Sequence, residues 1–79
     1  MTSIHFPDDL LTLQAAWIRT YSDLARLPSQ AGSTVLRRRL ITLSCRIAAH
    51  PFWEAPGRSP AARVELRRQA RARAWVTAA

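Results

Sequence analysis

The chain has 79 residues, 48% of them hydrophobic, and a net charge of +7. This length holds one domain, predicted as a helical domain over residues 1–79, and the apolar content excludes a disordered chain. A lone cysteine excludes an internal disulfide, and no apolar run approaches the roughly 18 residues of a membrane span.

The first predicted helix spans about residues 8–27. It starts at Pro7, Asp8 and Asp9, because proline fits a first helical turn and carboxylates favour the positive end of the helix dipole. The apolar line that follows consists of Leu10, Gln14, Trp17, Tyr21 and Leu24, with Leu11, Ile18 and Ala25 beside it. Trp17 is expected to be largely buried. Pro28 ends the helix, and residues 29–32 have loop composition.

The second predicted helix spans about residues 34–50. Ser33 or Thr34 caps its first turn, and Pro51 stops it. Its apolar line consists of Leu36, Leu40, Leu43 and Ile47, widened by Ile41, Ser44 and Ala48. Because the flanking segments each offer an apolar face, this helix is predicted to be the central one of a small bundle.

The short loop between these helices predicts an antiparallel hairpin. In that hairpin Asp23 is expected beside Arg37 or Arg38 at the start of the second helix. Asp8 and Asp9 are expected beside Arg46 at its end. Exposed ion pairs of this kind contribute only about 0–1 kcal/mol each, but they favour this pairing of helices.

Arg37, Arg38 and Arg39 occupy the first turn of the second helix, where the helix dipole favours anions. A negative group is therefore expected nearby. Asp23 is the internal candidate, and an external phosphate or a partner's carboxylate is the functional one, since helix-start amides and guanidinium groups together bind anions.

Phe52 and Trp53 lie between Pro51 and Pro56. One interpretation is a rigid corner in which both rings plug the open end of the hairpin. The alternative is an exposed pair of aromatic anchors that docks on a partner protein.

The third predicted helix spans about residues 60–76, with Ser59 as a cap and Pro60 at its first position. Its bulky apolar residues are few, and Trp75 is a further candidate anchor. Its predicted basic face consists of Arg63, Arg67, Arg68, Arg71 and Arg73. Such a face suits a row of phosphates or an acidic protein, whereas the thin apolar face argues against a membrane surface.

The charge distribution agrees with one basic surface. Residues 1–34 contain three aspartates and two arginines, a net of −1, whereas residues 35–79 contain ten arginines and two glutamates, a net of +8. All twelve basic residues are arginine, which either codon composition in a GC-rich genome or selection for bidentate contacts with phosphate and carboxylate would produce.

The sequence offers little for catalysis. Cys45 and His50 would project about 140° apart on a helix, so they neither share a metal ion nor form a nucleophile and base pair. The only two glycines, Gly32 and Gly57, do not form a phosphate-binding loop. No enzyme activity, metal or cofactor is expected.

Several short blocks resemble small arginine-rich helical proteins of unknown function from GC-rich actinobacteria. They are residues 6–10 (FPDDL), 36–40 (LRRRL), 50–53 (HPFW) and 56–63 (PGRSPAAR). The resemblance implies a bacterial cytoplasmic protein without catalytic activity. The absence of a basic region followed by an apolar run at the N-terminus also predicts the cytoplasm.

Together these features predict an all-α three-helix bundle, built on the hairpin of helices 8–27 and 34–50 with a basic third helix. The predicted function is a non-catalytic module that docks an acidic partner protein, with Phe52, Trp53 and Trp75 as anchors. The alternative is a small nucleic-acid-binding regulator that uses the third helix. The small core is also compatible with a homo-oligomer.

Overall fold

A computed structural model of the chain describes residues 4–28, 32–56 and 58–76. Over these ranges it contains three α-helices and no strand: α1 (Asp8–Arg26), α2 (Thr34–Ala48) and α3 (Pro60–Val76), with a short 3-10 helix at Pro51–Glu54 between the last two. The predicted all-α fold with three helices is confirmed, and each helix boundary lies within two residues of its predicted position. Most of the predicted loop at 29–32 and both ends of the predicted domain lie outside the described residues. No helix within these ranges is long and apolar enough to cross a membrane.

The helix starts follow the proline signals of the sequence. α1 begins directly after Pro7, and α3 has Pro60 at its first position. Ser33 stands at the N-cap position of α2, but its hydroxyl does not bond to a backbone amide; it accepts a hydrogen bond from Arg37 Nε at 3.0 Å. The predicted side-chain cap of α2 is therefore wrong, because the arginine one turn later takes the hydroxyl.

The central helix is α1, not α2 as predicted. α1 packs against both other helices, whereas the described parts of α2 and α3 scarcely contact one another. Asp9 at the start of α1 bonds to His50 just after α2, and Trp17 further along α1 bonds to Ser44, so these two helices are antiparallel. Contacts from Gln69 and Arg73 of α3 to Ile4 and Asp8 make α3 parallel to α1. α1 serves as the centre because its apolar residues form two stripes, whereas α2 has one.

The larger core closes the end of the molecule where all the elements meet. Each of five elements contributes one buried side chain: Phe6, Leu10, Ile47, Phe52 and Leu66. The rings of Phe6 and Phe52 lie 5.0 Å apart, and the half-buried Trp53 donates its indole N–H to the carbonyl of Ile47. Both rings therefore pack at this end of the molecule, as the corner interpretation predicts, and Phe52 is only 9% exposed.

A second, smaller core joins α1 to α3. It consists of Ala15 from α1 and Ala70 and Ala74 from α3, all but fully buried, with Leu11 and Ile18 packed beside them. Because alanine has no side chain beyond Cβ, these contacts require the two helix backbones to approach closely. Close approach of backbones therefore holds α3 in place along its second half.

α2 buries a narrower stripe than predicted. The predicted line faces α1, with Leu43 and Ile47 buried and its first two members half-buried. The residues predicted to widen it, Ile41, Ser44 and Ala48, are exposed, Ile41 to 64%. The reason is that α2 packs on one neighbour only, so the flank of its apolar stripe stays in solvent.

The predicted apolar line of α1 is buried only in part. Leu10 and Gln14 are buried and Trp17 is half-buried, but Tyr21 is exposed and stacks on Trp17 at 5.3 Å between ring centroids. Trp17 lies on the side of α1 that faces the space between α2 and α3. Trp17 packs against the main core with more than half of its surface buried, as expected, whereas the predicted line leaves the core at Tyr21.

Candidate interaction surface

The arginine triplet at the start of α2 does not form one cluster. Arg37, Arg38 and Arg39 are all exposed, and consecutive helical residues project about 100° apart. Asp23, the predicted internal counter-charge, instead bonds to Arg26 on its own helix at 3.0 Å. The triplet therefore spreads positive charge around α2.

The predicted pairing of the acids at the start of α1 with Arg46 is also wrong. Asp8 pairs with Arg73 of α3 at 2.8 Å, and Asp9 accepts a hydrogen bond from Nε2 of His50 at 3.0 Å. The other ring nitrogen of His50 accepts the amide N–H of Phe52, so Nε2 carries the proton. The hydrogen bond from His50 lowers the pKa of the Asp9 carboxyl below its ordinary value.

Arg68 on α3 has an internal partner. Its guanidinium donates two hydrogen bonds to Glu65, at 2.7 and 2.8 Å, and Gln69 donates another to the same carboxylate. These bonds, led by that from Arg68, lower the pKa of Glu65 from 4.5 to about 2, and the same pairing raises the pKa of Arg68. Arg68 is therefore less available to an outside anion than predicted.

These lowered pKa values predict loss of stability in acid. The folded state holds Glu65 ionised down to about pH 2, whereas the unfolded chain protonates it near 4.5, so its stabilising effect is complete above that pH and disappears as the pH falls towards 2. We expect thermal midpoints, followed by circular dichroism between pH 5.5 and 2, to fall less steeply in Glu65→Gln than in the original chain. Parallel curves for the two proteins would contradict this assignment.

Arg73 does not belong to the basic face of α3. Its guanidinium bonds to Thr12 as well as Asp8, so it points to α1. Arg71 and Arg73 differ by two residues, or about 200° around the helix, so they lie on opposite sides of α3. The prediction that Arg73 broadens the basic face is wrong.

Three arginines remain together and form what we call the basic ridge: Arg63, Arg67 and Arg71. They are exposed and recur at steps of four, so each follows the last by about 6 Å along α3. The Arg63 guanidinium lies 4.6 Å over the Trp53 ring. Arg67 and Arg71 make no ion pair or hydrogen bond with the described residues, so their charge is available to a partner.

Apolar groups accompany the ridge. Val64, 65% exposed, lies with Arg67 and Arg71 in a shallow depression of about 620 Å³ on the outer side of α3. Trp75 is exposed one turn beyond Arg71, and its ring lines another depression, beside residues of α1 and α2. The third predicted anchor, Trp53, is half-buried with its indole N–H bonded and its ring covered by Arg63, so it is not a free anchor.

A groove of about 300 Å³ lies between α2 and α3 over α1, and sequence reasoning missed it. The residues that line it are Gln14, Trp17, Ser44, Ile47, Ala48, Arg63 and Arg67. The groove exists because α2 and α3 flank α1 without closing on each other. To predict the groove, Ser44 and Ala48 would have to be placed outside the core. Their exposure depends on which helix is central.

Most of the chain matches a protein-family model. The family model DUF8825, a domain of unknown function, matches residues 9–69. The chain belongs to this family. The DUF8825 match covers α1 from Asp9, all of α2, and α3 as far as Gln69. It includes every residue that lines the groove, whereas Arg71 and Trp75 lie beyond it. No curated protein and no solved structure matches the chain.

Proposed function

We propose that the protein is a non-catalytic helical module that docks an acidic partner protein through the basic ridge of α3. The observation that carries this proposal is the pair Arg67 and Arg71, exposed one turn apart and without a counter-charge among the described residues. In a chain of charge +7, such a pair attracts a surface rich in carboxylates. Val64 and Trp75 provide apolar contact next to these charges, as protein interfaces require.

A protein partner fits the ridge better than a nucleic acid does. Three arginines that neutralise three phosphates give a log–log salt slope of about −2.7, so affinity falls roughly 40-fold between 50 and 200 mM salt. Nucleic-acid-binding proteins that make six or more phosphate contacts lose about 1,000-fold over that range. The remaining arginines of α2 project in other directions, so they add little to one nucleic-acid track.

The absence of catalysis is part of the proposal. Both carboxyl groups with a shifted pKa, Asp9 and Glu65, have it lowered, whereas a carboxylic acid that donates a proton at neutral pH needs a raised one. We place the module in the bacterial cytoplasm, on the resemblance of its sequence blocks to small actinobacterial proteins.

Charge reversal on the ridge tests the proposed interface. We expect the tagged full chain to retain protein partners from a native lysate after nuclease treatment, and Arg67→Glu/Arg71→Glu to reduce their recovery by about tenfold or more, because like charges then oppose each other. The matched control is Arg39→Glu/Arg46→Glu, which makes the same change in net charge at exposed positions of α2.

Two results would contradict the proposal. Loss of the recovered proteins on nuclease treatment would indicate that nucleic acid is the partner. Equal recovery with the ridge variant and the α2 variant would show that net charge, and not the ridge, determines the association.

A further inference from the structure

Gln14 is the unusual residue of the groove between α2 and α3. Its side chain is 6% exposed, yet its amide makes no hydrogen bond with any described residue. Among the described residues no fully buried side-chain nitrogen or oxygen lacks a partner, so the amide atoms of Gln14 touch solvent in the groove that they line. A polar group held in this way has lost most of its hydration, and a ligand that hydrogen-bonds to it restores the lost interaction.

The other polar groups of the groove are also donors. Ser44 Oγ accepts the indole N–H of Trp17 at 2.9 Å, which leaves its own hydroxyl hydrogen free to donate. Arg67 has no counter-charge among the described residues, and Arg63 is held over Trp53 at the same edge. No aspartate or glutamate lines the groove. This set of donors suits an oxygen anion.

We propose that the groove binds the carboxylate side chain of an acidic residue in the partner protein, with Gln14, Ser44 and Arg67 as donors. Charge complementarity identifies the occupant, because the groove contributes positive charge without an acid of its own. Trp17 and Ile47 give an apolar wall to the residue that neighbours the acid. A volume of about 300 Å³ is at the lower end for ligand pockets, as suits one or two side chains.

This inference rests on the proposed function and makes it more specific. The basic ridge attracts an acidic surface, and Arg67 belongs to both the ridge and the groove. One acidic side chain then enters between the helices and fixes the register of the partner. Gln14 belongs only to the groove and Arg71 only to the ridge, so the two proposals are separable.

The test uses two blocked tripeptides that differ in one group, acetyl-Leu-Glu-Leu-amide and acetyl-Leu-Gln-Leu-amide. Binding to the isotope-labelled full chain is followed by NMR at the Trp17 indole N–H and the Gln14 side-chain amide. We expect saturable shifts at both with the glutamate peptide, and binding weaker by about tenfold or more with the glutamine peptide. Inorganic phosphate serves as a third probe.

Matched variants locate the binding. Gln14→Met keeps the size and burial of the side chain but removes the amide, and Arg67→Gln removes the charge; we expect both to weaken the glutamate peptide by about tenfold, with circular dichroism confirming that each remains folded. The control is Arg46→Gln, which removes the same charge at an exposed position of α2 outside both the ridge and the groove, and it is expected to leave peptide binding unchanged. A Gln14→Met variant that binds as well as the original chain would overturn the assignment.

Other occupants give distinct results. Equal binding of the two peptides, or stronger shifts with phosphate, would overturn the carboxylate site. Shifts that depend on protein concentration without peptide would assign the groove to a second copy of the chain instead. If recovery of a protein partner requires Arg71 but not Gln14, the proposed carboxylate site in the groove is wrong while the docking function stands. If recovery requires Gln14 but not Arg71, the proposed docking through the ridge is wrong.

Discussion

Replacing Leu66 with alanine is expected to lower the free energy of unfolding by about 2–5 kcal/mol, the cost of removing a fully buried leucine. Leu66 is 1% exposed and is the contribution of α3 to the core at which five elements meet. The rings of Phe6 and Phe52 pack against each other, and Leu10 is fixed on α1. These neighbours therefore cannot readily move into the cavity that the substitution leaves. The loss therefore lies in the middle or upper part of this range.

Such a loss is large for a chain of this size. A core of under about 80 residues supplies roughly 3–5 kcal/mol in total, so Leu66→Ala is expected to leave the protein mostly unfolded or barely folded at 25 °C. In thermal unfolding followed by circular dichroism, the midpoint should fall by roughly 10 °C or more. Val64→Ala, two residues earlier on the exposed side of α3, is the control and should change it little. Equal midpoints for the two variants would refute the packing described for α3.

The helices were predictable because their boundary signals are local. Pro7, Pro28, Pro51 and Pro60 mark helix starts and stops through their own backbone geometry, whatever the tertiary structure. Which helix is central is not a local property. It depends on the second apolar stripe of α1. Ala15 in that stripe adds little apolar area, so it contributes little to a sequence pattern. Its small size is nevertheless what permits close packing of α3.

The candidate site was predictable only in part. The predicted basic surface counted neighbouring arginines together, whatever their angle around the helix axis. The 3.6-residue period already places Arg73 across α3 from Arg71 and separates Arg37 from Arg39. The helical period cannot predict the partners of the aspartates at the start of α1. The hydrogen bond between Asp9 and His50, for example, depends on how the chain after α2 folds back towards α1. The groove requires both the central position of α1 and the exposure of Ser44, and neither appears in the sequence alone.

Replacing Ala70 with leucine is expected to destabilise the protein by about 1–3 kcal/mol, although it adds apolar surface to a helix. Ala70 is fully buried against α1, where Ala15 and Ala74 set the distance between the helix backbones. A leucine side chain has no space at such a contact, so either α3 moves away from α1 or the side chain adopts a strained rotamer. Moving away would also pull Leu66 from the main core.

The matched control is Ala72→Leu, the same substitution two residues along α3 at an exposed position. Alanine and leucine have similar helix propensities, so the control should change the free energy of unfolding by less than about 0.5 kcal/mol in a urea titration. The contrast between the two variants separates a packed third helix from a projecting one. A projecting α3 would tolerate leucine equally at both positions, because neither would meet a neighbour; a packed α3 tolerates it only at Ala72. The ridge and the groove both depend on that packing, since α3 positions Arg67 beside Gln14 only while Ala70 stays against α1.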